Sequence, residues 1–173
     1  VLPMKVEENL VLKSYYHTPY SEKGFLRFQA VEKKAKALIE QYDGRTVSEK
    51  VPVKSLSGGN QQKAIIAREL SLNPDFLIAA NPTRGLDVGA IEFIHKALIA
   101  ERDDQKAVLL MSFELDEILN VSDRIIVMHD GHIMVDIPAS ETNEQEIGLM
   151  MAGTSYEEVL SHRQTGGDAN HEG

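Results

Sequence analysis

The run Leu56-Ser57-Gly58-Gly59, placed directly before Asn60-Gln61-Gln62-Lys63 and a helical stretch, constrains this chain more than any other feature. Two adjacent glycines let the backbone approach a ligand or a neighbouring element closely. A helix that opens on them presents unpaired N–H groups and the positive end of its dipole, which together suit a phosphate. The Ser57 hydroxyl adds a donor for a phosphate oxygen. Downstream, Phe76-Leu77-Ile78-Ala79-Ala80 is a continuous apolar run that ends on Asn81-Pro82-Thr83-Arg84-Gly85-Leu86-Asp87. Such a run reads as a strand buried on both faces, followed by a turn and a loop.

The rest of the chain extends this into an alternation. Residues up to about Val53 read as helical or irregular, with a short helix over Val6 to Leu12. Val31, Ala35, Leu38, Ile39 and Tyr42 fall on one face of an amphipathic helix that Gly44 would cap. A helix from about Asn60 to Leu72 stops before Pro74. Another runs from about Val88 to Ala100 with Ile91, Ile94 and Leu98 on one side. Ala107 to Met111 reads as a second buried strand, Glu114 to Leu119 as a short helix and Arg124 to Met128 as a third strand. Asp130-Gly131 marks a hairpin into His132 to Ile137, and Glu144 to Met151 forms a closing helix. Alternating strands and helices imply an α/β core with a parallel sheet.

Composition removes several functions. The net charge of −9 over 173 residues opposes a nucleic-acid surface or an anionic membrane face. Zero cysteines exclude disulfides, thiol catalysis and cysteine-bound zinc. No apolar run approaches the ~18 residues that a membrane span requires. Val1-Leu2-Pro3-Met4 is neither an initiator methionine nor a signal peptide, so a longer parent chain is expected. The polar, glycine-rich end from Gln164 to Gly173 reads as disordered.

LSGGNQQK together with PTRGLDVGA resembles the second cassette of the double-cassette ABC ATPases that power uptake of monosaccharides and nucleosides, over about residues 1 to 153. The resemblance implies a partial P-loop NTPase core with a parallel sheet and a helical subdomain, the phosphate-loop half missing. It divides the chain into a helical subdomain over 1–55, the C-terminal part of the ATPase core over 56–153, and a disordered polar tail over 154–173. The family's phosphate loop is G-x-x-x-x-G-K-[ST]. The nearest match, Gly148 to Ser155, has no lysine and follows a helix, so it reads as a coincidence of glycines. Where the family carries a Mg²⁺-binding Asp and then a Glu, this chain has Ala80 and Asn81. Where it carries a switch histidine, this chain has Phe113. Alanine cannot coordinate a metal, and an amide is no base at neutral pH. The resemblance therefore implies no intact catalytic residue and no metal site in this chain.

In the family the glycine signature acts in trans, closing over ATP held by a facing cassette. Ser57, Gly58, Gly59 and Asn60 are its counterparts here, and Gly85, Leu86 and Asp87 match the loop that crosses between cassettes. The implied cofactor is ATP with Mg²⁺, held mainly by the partner cassette, with none expected for the isolated chain. The implied partners are the N-terminal cassette of the same subunit, transmembrane permease subunits docking near Val6 to Tyr42, and indirectly a substrate-binding protein. No nucleic acid is implied, and the site of action would be the cytoplasmic side of the membrane, peripherally. Two rivals remain: a non-catalytic regulatory module, and a soluble ABC ATPase of DNA-repair or translation type. The Asn60-Gln61-Gln62-Lys63 run and the negative charge oppose the second.

Several residues carry simpler readings. Asp87 also stands where a helix N-cap is wanted. Glu114, Asp116 and Glu117 suit the first turn of a helix better than a metal. His129 and His132 flank a turn and read as exposed rather than as ligands. With part of the core missing, the 76–80 strand is expected to leave an apolar sheet face open and to promote self-association.

Overall fold

The computed structural model describes residues 1–44, 46 and 48–166, which divide into two compact units meeting between Leu109 and Leu110. In the first, α1 (Val6–Leu10) buries Val6 and Leu10, and the Glu8 carboxylate accepts the Lys5 N–H at 2.8 Å to close its first turn. A hairpin of two-residue strands, β1 (Ser21–Glu22) and β2 (Phe25–Leu26), follows. Its turn uses Lys23 at φ 50° and Gly24 at φ 84°, the left-handed pair that a tight hairpin requires. The sequence pattern gives no sign of this hairpin.

α2 (Phe28–Gln41) packs the expected stripe inward, with Val31, Ala35 and Leu38 buried and Ile39 and Tyr42 half-buried. The Gly44 N–H returns to the Ile39 carbonyl at 2.8 Å, so the chain does turn off the helix there. The residue that takes the left-handed conformation is Asp43 at φ 47° and not the glycine, since a short polar side chain tolerates that region. α3 (Gly58–Leu70) then crosses α1 and α2, and Ala67 joins Val6, Leu10, Ala35, Leu38 and Val53 in one apolar cluster. The helical part therefore does not close at residue 55: its core is completed by α3.

β3 (Phe76–Ala80) and β4 (Ala107–Met111) are hydrogen-bonded neighbours joined through α4 (Val88–Asp103), the strand–helix–strand unit of a parallel α/β sheet. Ala90, Ile94 and Leu98 form the buried stripe of α4. β3 is not buried on both faces: Phe76 and Ile78 are more than half exposed, at 55% and 56%, and Ala79 is the one strand residue fully covered. Leu109 on β4 is open as well. The open apolar sheet face is thus present.

The second unit is built on a hairpin. β5 (Arg124–His129) pairs antiparallel with β6 (His132–Pro138) across Asp130 at φ 47° and Gly131 at φ 78°, with a bulge between Val127 and Met128. Within the second unit β5 is thus an antiparallel strand and not the parallel one expected. Ile125, Val127, Val135 and Ile137 project from one face of the hairpin onto Ile147 and Met150 of α6 (Glu144–Met151) and Val159 of α7 (Tyr156–Gly166). Leu115 and Ile118 of α5 (Leu115–Val121) pack at the edge. The segment from 154 is not a disordered tail up to Gly166: α7 is anchored by buried Val159 and by the Arg163 guanidinium, which donates to the buried Glu146 carboxylate. The remainder of the expected disordered end, from Gly167, lies outside the described residues.

Candidate functional site

Ser57 is the N-cap of α3, at φ −60° and ψ 158°, and both it and Gly58 are exposed. The Ser57 Oγ accepts from the Asn60 backbone N–H at 3.4 Å and from Asn60 Nδ2 at 2.9 Å. A hydroxyl has two acceptor positions and one proton. With both acceptor positions taken by Asn60, the hydroxyl is left to act as a donor. Gln61 Nε2 donates to the Leu56 carbonyl at 2.9 Å, tying the preceding residue onto the helix. The result is an exposed helix start, a free hydroxyl proton and a glycine with no side chain in the way, which suits an anion.

The loop after β3 comes to the same place. Asp87 caps α4, its Oδ1 accepting the Ala90 N–H at 2.9 Å, as the capping reading required. Gly85 sits at φ 73° with open space where a side chain would point, so the turn itself calls for glycine there. A methyl on Gly58 would meet Leu86 Cδ2 at 3.8 Å, and one on Gly59 would meet Ala90 Cβ at 2.9 Å. The structure therefore brings Gly58 and Gly59 against Leu86, Asp87 and Ala90.

Ala80, Asn81 and Phe113 carry no acid or base. Ala80 ends β3, exposed, and Asn81 follows at φ 45°. Neither offers a carboxylate. Phe113 lies in the second unit and is 75% exposed, beside Ser112, whose Oγ accepts the Glu114 N–H at 3.0 Å. Gly148 to Ser155 runs from the last turn of α6 to the residue before α7, where Ser155 is engaged with Glu158, and it carries no lysine. Gly153, at φ 101°, gives room for the His129 ring, which would lie 2.9 Å from an added methyl. His129 Nδ1 is 2.9 Å from the Met151 carbonyl oxygen and therefore fixes the hairpin to α6.

Two charge clusters were not legible in the sequence. Lys63 is buried, with its Nζ 2.9 Å from Asp43 Oδ2 and 3.1 Å from the Asp43 carbonyl. Glu7, Glu32 and Glu49 bring carboxylate oxygens within 4.8 Å of one another, the spacing of a cation site. Lysines already occupy that role. Lys36 and Lys50 lie 2.6 and 3.3 Å from Glu32, and Lys5 lies 3.4 Å from Glu7. The ammonium groups of Lys36 first, and then Lys50, hold the Glu32 carboxyl below its ordinary range. A sequence pattern cannot show either cluster, because the members come from separate elements.

The fold is that of an ABC ATPase cassette, and comparison with known proteins gives the family. The ABC transporter family matches residues 2–84. The guanosine import ATP-binding protein of Bacillus subtilis is 58% identical over 159 residues, covering 92% of this chain and 31% of that protein. The nucleoside import ATP-binding protein of Lactococcus lactis subsp. cremoris is 56% identical over 158 residues, covering 91% of this chain and 31% of its own length. A dimeric bacterial ABC transporter cassette superposes with a TM-score of 0.66 over 80% of this chain and 58% of that one, at 24% identity, which establishes the shared fold. The chain belongs to the ABC transporter family, and it spans less than a third of the length of these relatives.

Proposed function

We propose that this chain serves in the ATP-binding subunit of an ABC importer for nucleosides, lending Ser57, Gly58, Gly59 and Asn60 to ATP held by a partner cassette. The observation that carries the proposal is the exposed start of α3, where Asn60 fills the acceptor positions of the Ser57 hydroxyl and leaves its proton to donate. Two relatives more than half identical to this chain are both named for nucleoside import, which favours a nucleoside over a simple sugar.

ATP supplies the free energy of cassette closure when bound between the pair. On this side of it, Ser57 would donate to a phosphate oxygen and the α3 dipole would favour the negative charge. Asp87 would hold the crossing loop by its cap on α4. Mg²⁺ would be held by the partner cassette, because Ala80 and Asn81 carry no carboxylate, and hydrolysis would belong to that other site. Docking to a permease would use the region from Val6 to Tyr42. There Tyr16, Phe25 and Phe28 expose 60%, 80% and 75% of their surface.

The test is the natural full-length subunit, reconstituted with its permease in vesicles. Nucleoside uptake should require ATP, and Ser57→Ala should lower both uptake and ATP turnover by about tenfold, the worth of one hydrogen bond to a charged group. Unchanged turnover in Ser57→Ala would sink the in-trans role. ATP-independent uptake would sink the importer reading.

A further inference from the structure

The two signature glycines meet different surroundings. A methyl built on Gly58 has Leu86 Cδ2 at 3.8 Å, ordinary van der Waals contact. A methyl built on Gly59 would lie 2.9 Å from Ala90 Cβ and 3.3 Å from Asp87 Oδ2. Ala90 is 4% exposed, and its Cβ has no rotamer by which to withdraw. Its N–H is also the group that Asp87 Oδ1 caps at 2.9 Å. The need for glycine at position 59 is therefore met inside the chain, before any ligand is considered, whereas Gly58 stays exposed and open to one.

We propose that the Gly59–Ala90 contact joins the glycine turn and the crossing loop into one mechanical block, with Ala90 a positioning residue for Ser57 and Gly58. Any displacement of Gly85–Asp87 then carries the start of α3 with it, because the Ala90 methyl of α4 lies directly against the Gly59 backbone of α3. The functional consequence rests on the in-trans reading of Ser57–Asn60; the packing itself does not.

The experiment uses Gly59→Ala, Ala90→Gly, the double variant and Gly58→Ala in the natural full-length protein. Thermal unfolding and amide exchange over residues 86–90 are followed without nucleotide. Gly59→Ala should lower the unfolding midpoint by roughly 5 °C, the usual consequence of overpacking a rigid contact. It should also speed exchange at the Ala90 N–H. Judged against Ala90→Gly alone, the double variant should regain most of both losses, because the clashing methyl is gone. Gly58→Ala should leave both near the parent. Ile94→Val, a buried substitution further along α4, should lower the midpoint without raising exchange at Ala90, separating local coupling from general destabilisation.

The proposal is overturned if Gly59→Ala leaves unfolding and exchange unchanged, if Ala90→Gly does not rescue it, if Gly58→Ala behaves the same way, or if Ile94→Val raises exchange at Ala90 as much. The in-trans reading makes a separate prediction, that Gly58→Ala and Gly59→Ala both weaken ATP-driven cassette association. Failure there would leave the nucleotide-free result intact, so the two ideas can fail independently.

Discussion

Lys63 Nζ lies 4.6 Å from the centre of the Phe93 ring, so an ammonium on the signature helix rests on an aromatic face presented by α4. The same Nζ donates to the Asp43 carbonyl and carboxylate at the end of α2. One buried side chain thus ties together the helices on either side of the glycine turn. Lys63→Met should destabilise the first unit by about 1–2 kcal/mol, through a lost hydrogen bond to the Asp43 carbonyl and a lost cation–π contact. Phe93→Leu should give a smaller loss, and Lys63→Met should have less effect in its presence. Chemical denaturation of the four-member cycle checks this; strictly additive losses would show that the ring contact contributes nothing.

Asp87→Ala should cost about 1 kcal/mol through loss of the α4 cap, while Asp87→Asn should cost far less, because an amide oxygen caps equally well. Gly85→Ala, with open space for its methyl, should cost a similar amount through backbone strain alone. Denaturant midpoints distinguish these, and a large loss in Asp87→Asn would contradict the capping role.

Acid should unfold the second unit in a manner governed by Glu146. The Arg163 guanidinium beside it holds its carboxyl below the ordinary value, with burial acting in the opposite sense and the Thr142 hydroxyl assisting. A depressed carboxylate stabilises the fold above its unfolded pKa and loses that contribution as pH falls through the lower folded value. Arg163→Gln removes the depressing partner and leaves burial to raise the carboxyl, so the acid-unfolding midpoint should move to higher pH. Circular dichroism against pH would show it, and an unshifted midpoint would rule out the pair as its cause.

Asn81 occupies a left-handed conformation that asparagine tolerates better than glutamate. Restoring acidic residues by Ala80→Asp with Asn81→Glu should therefore cost on the order of 1 kcal/mol and yield no ATP turnover in this chain. Phe113 stays unsuited to the switch role, and no glycine-lysine phosphate loop exists in the sequence. Phosphate release above background would refute this.

Phe76, Ile78 and Leu109 leave an open apolar face on β3 and β4. The isolated chain should self-associate as its concentration rises, and Ile78→Lys should reduce this without lowering stability. Sedimentation velocity decides it; a single monomeric species at high concentration would go against the prediction.

Local chemistry was legible where single residues settle it. The Asp130-Gly131 turn, the Asp87 cap and the α2 stripe follow from turn propensity, capping and helical period. The β1–β2 hairpin escaped because two-residue strands carry no periodicity and its turn places a lysine, not asparagine, at a positive φ. α7 escaped because it buries a single apolar side chain, Val159, too little to set up a helical stripe. At the site, the sequence indicated Ser57 and both glycines but could not separate their roles. The neighbour that distinguishes them, Ala90, is a small apolar residue on another helix and has no signature of its own.

The open face of β3 also has a calorimetric consequence. Unfolding raises heat capacity because apolar surface newly meets water, ordinarily by about 12–15 cal/mol/K per residue. Phe76, Ile78, Leu109, Ile126, Met128 and Ile133 already meet water in the folded chain. The increment should therefore fall short of that range, and the curve of stability against temperature should be correspondingly flat, with warming and cooling each costing this chain less than they cost a protein with its sheets covered.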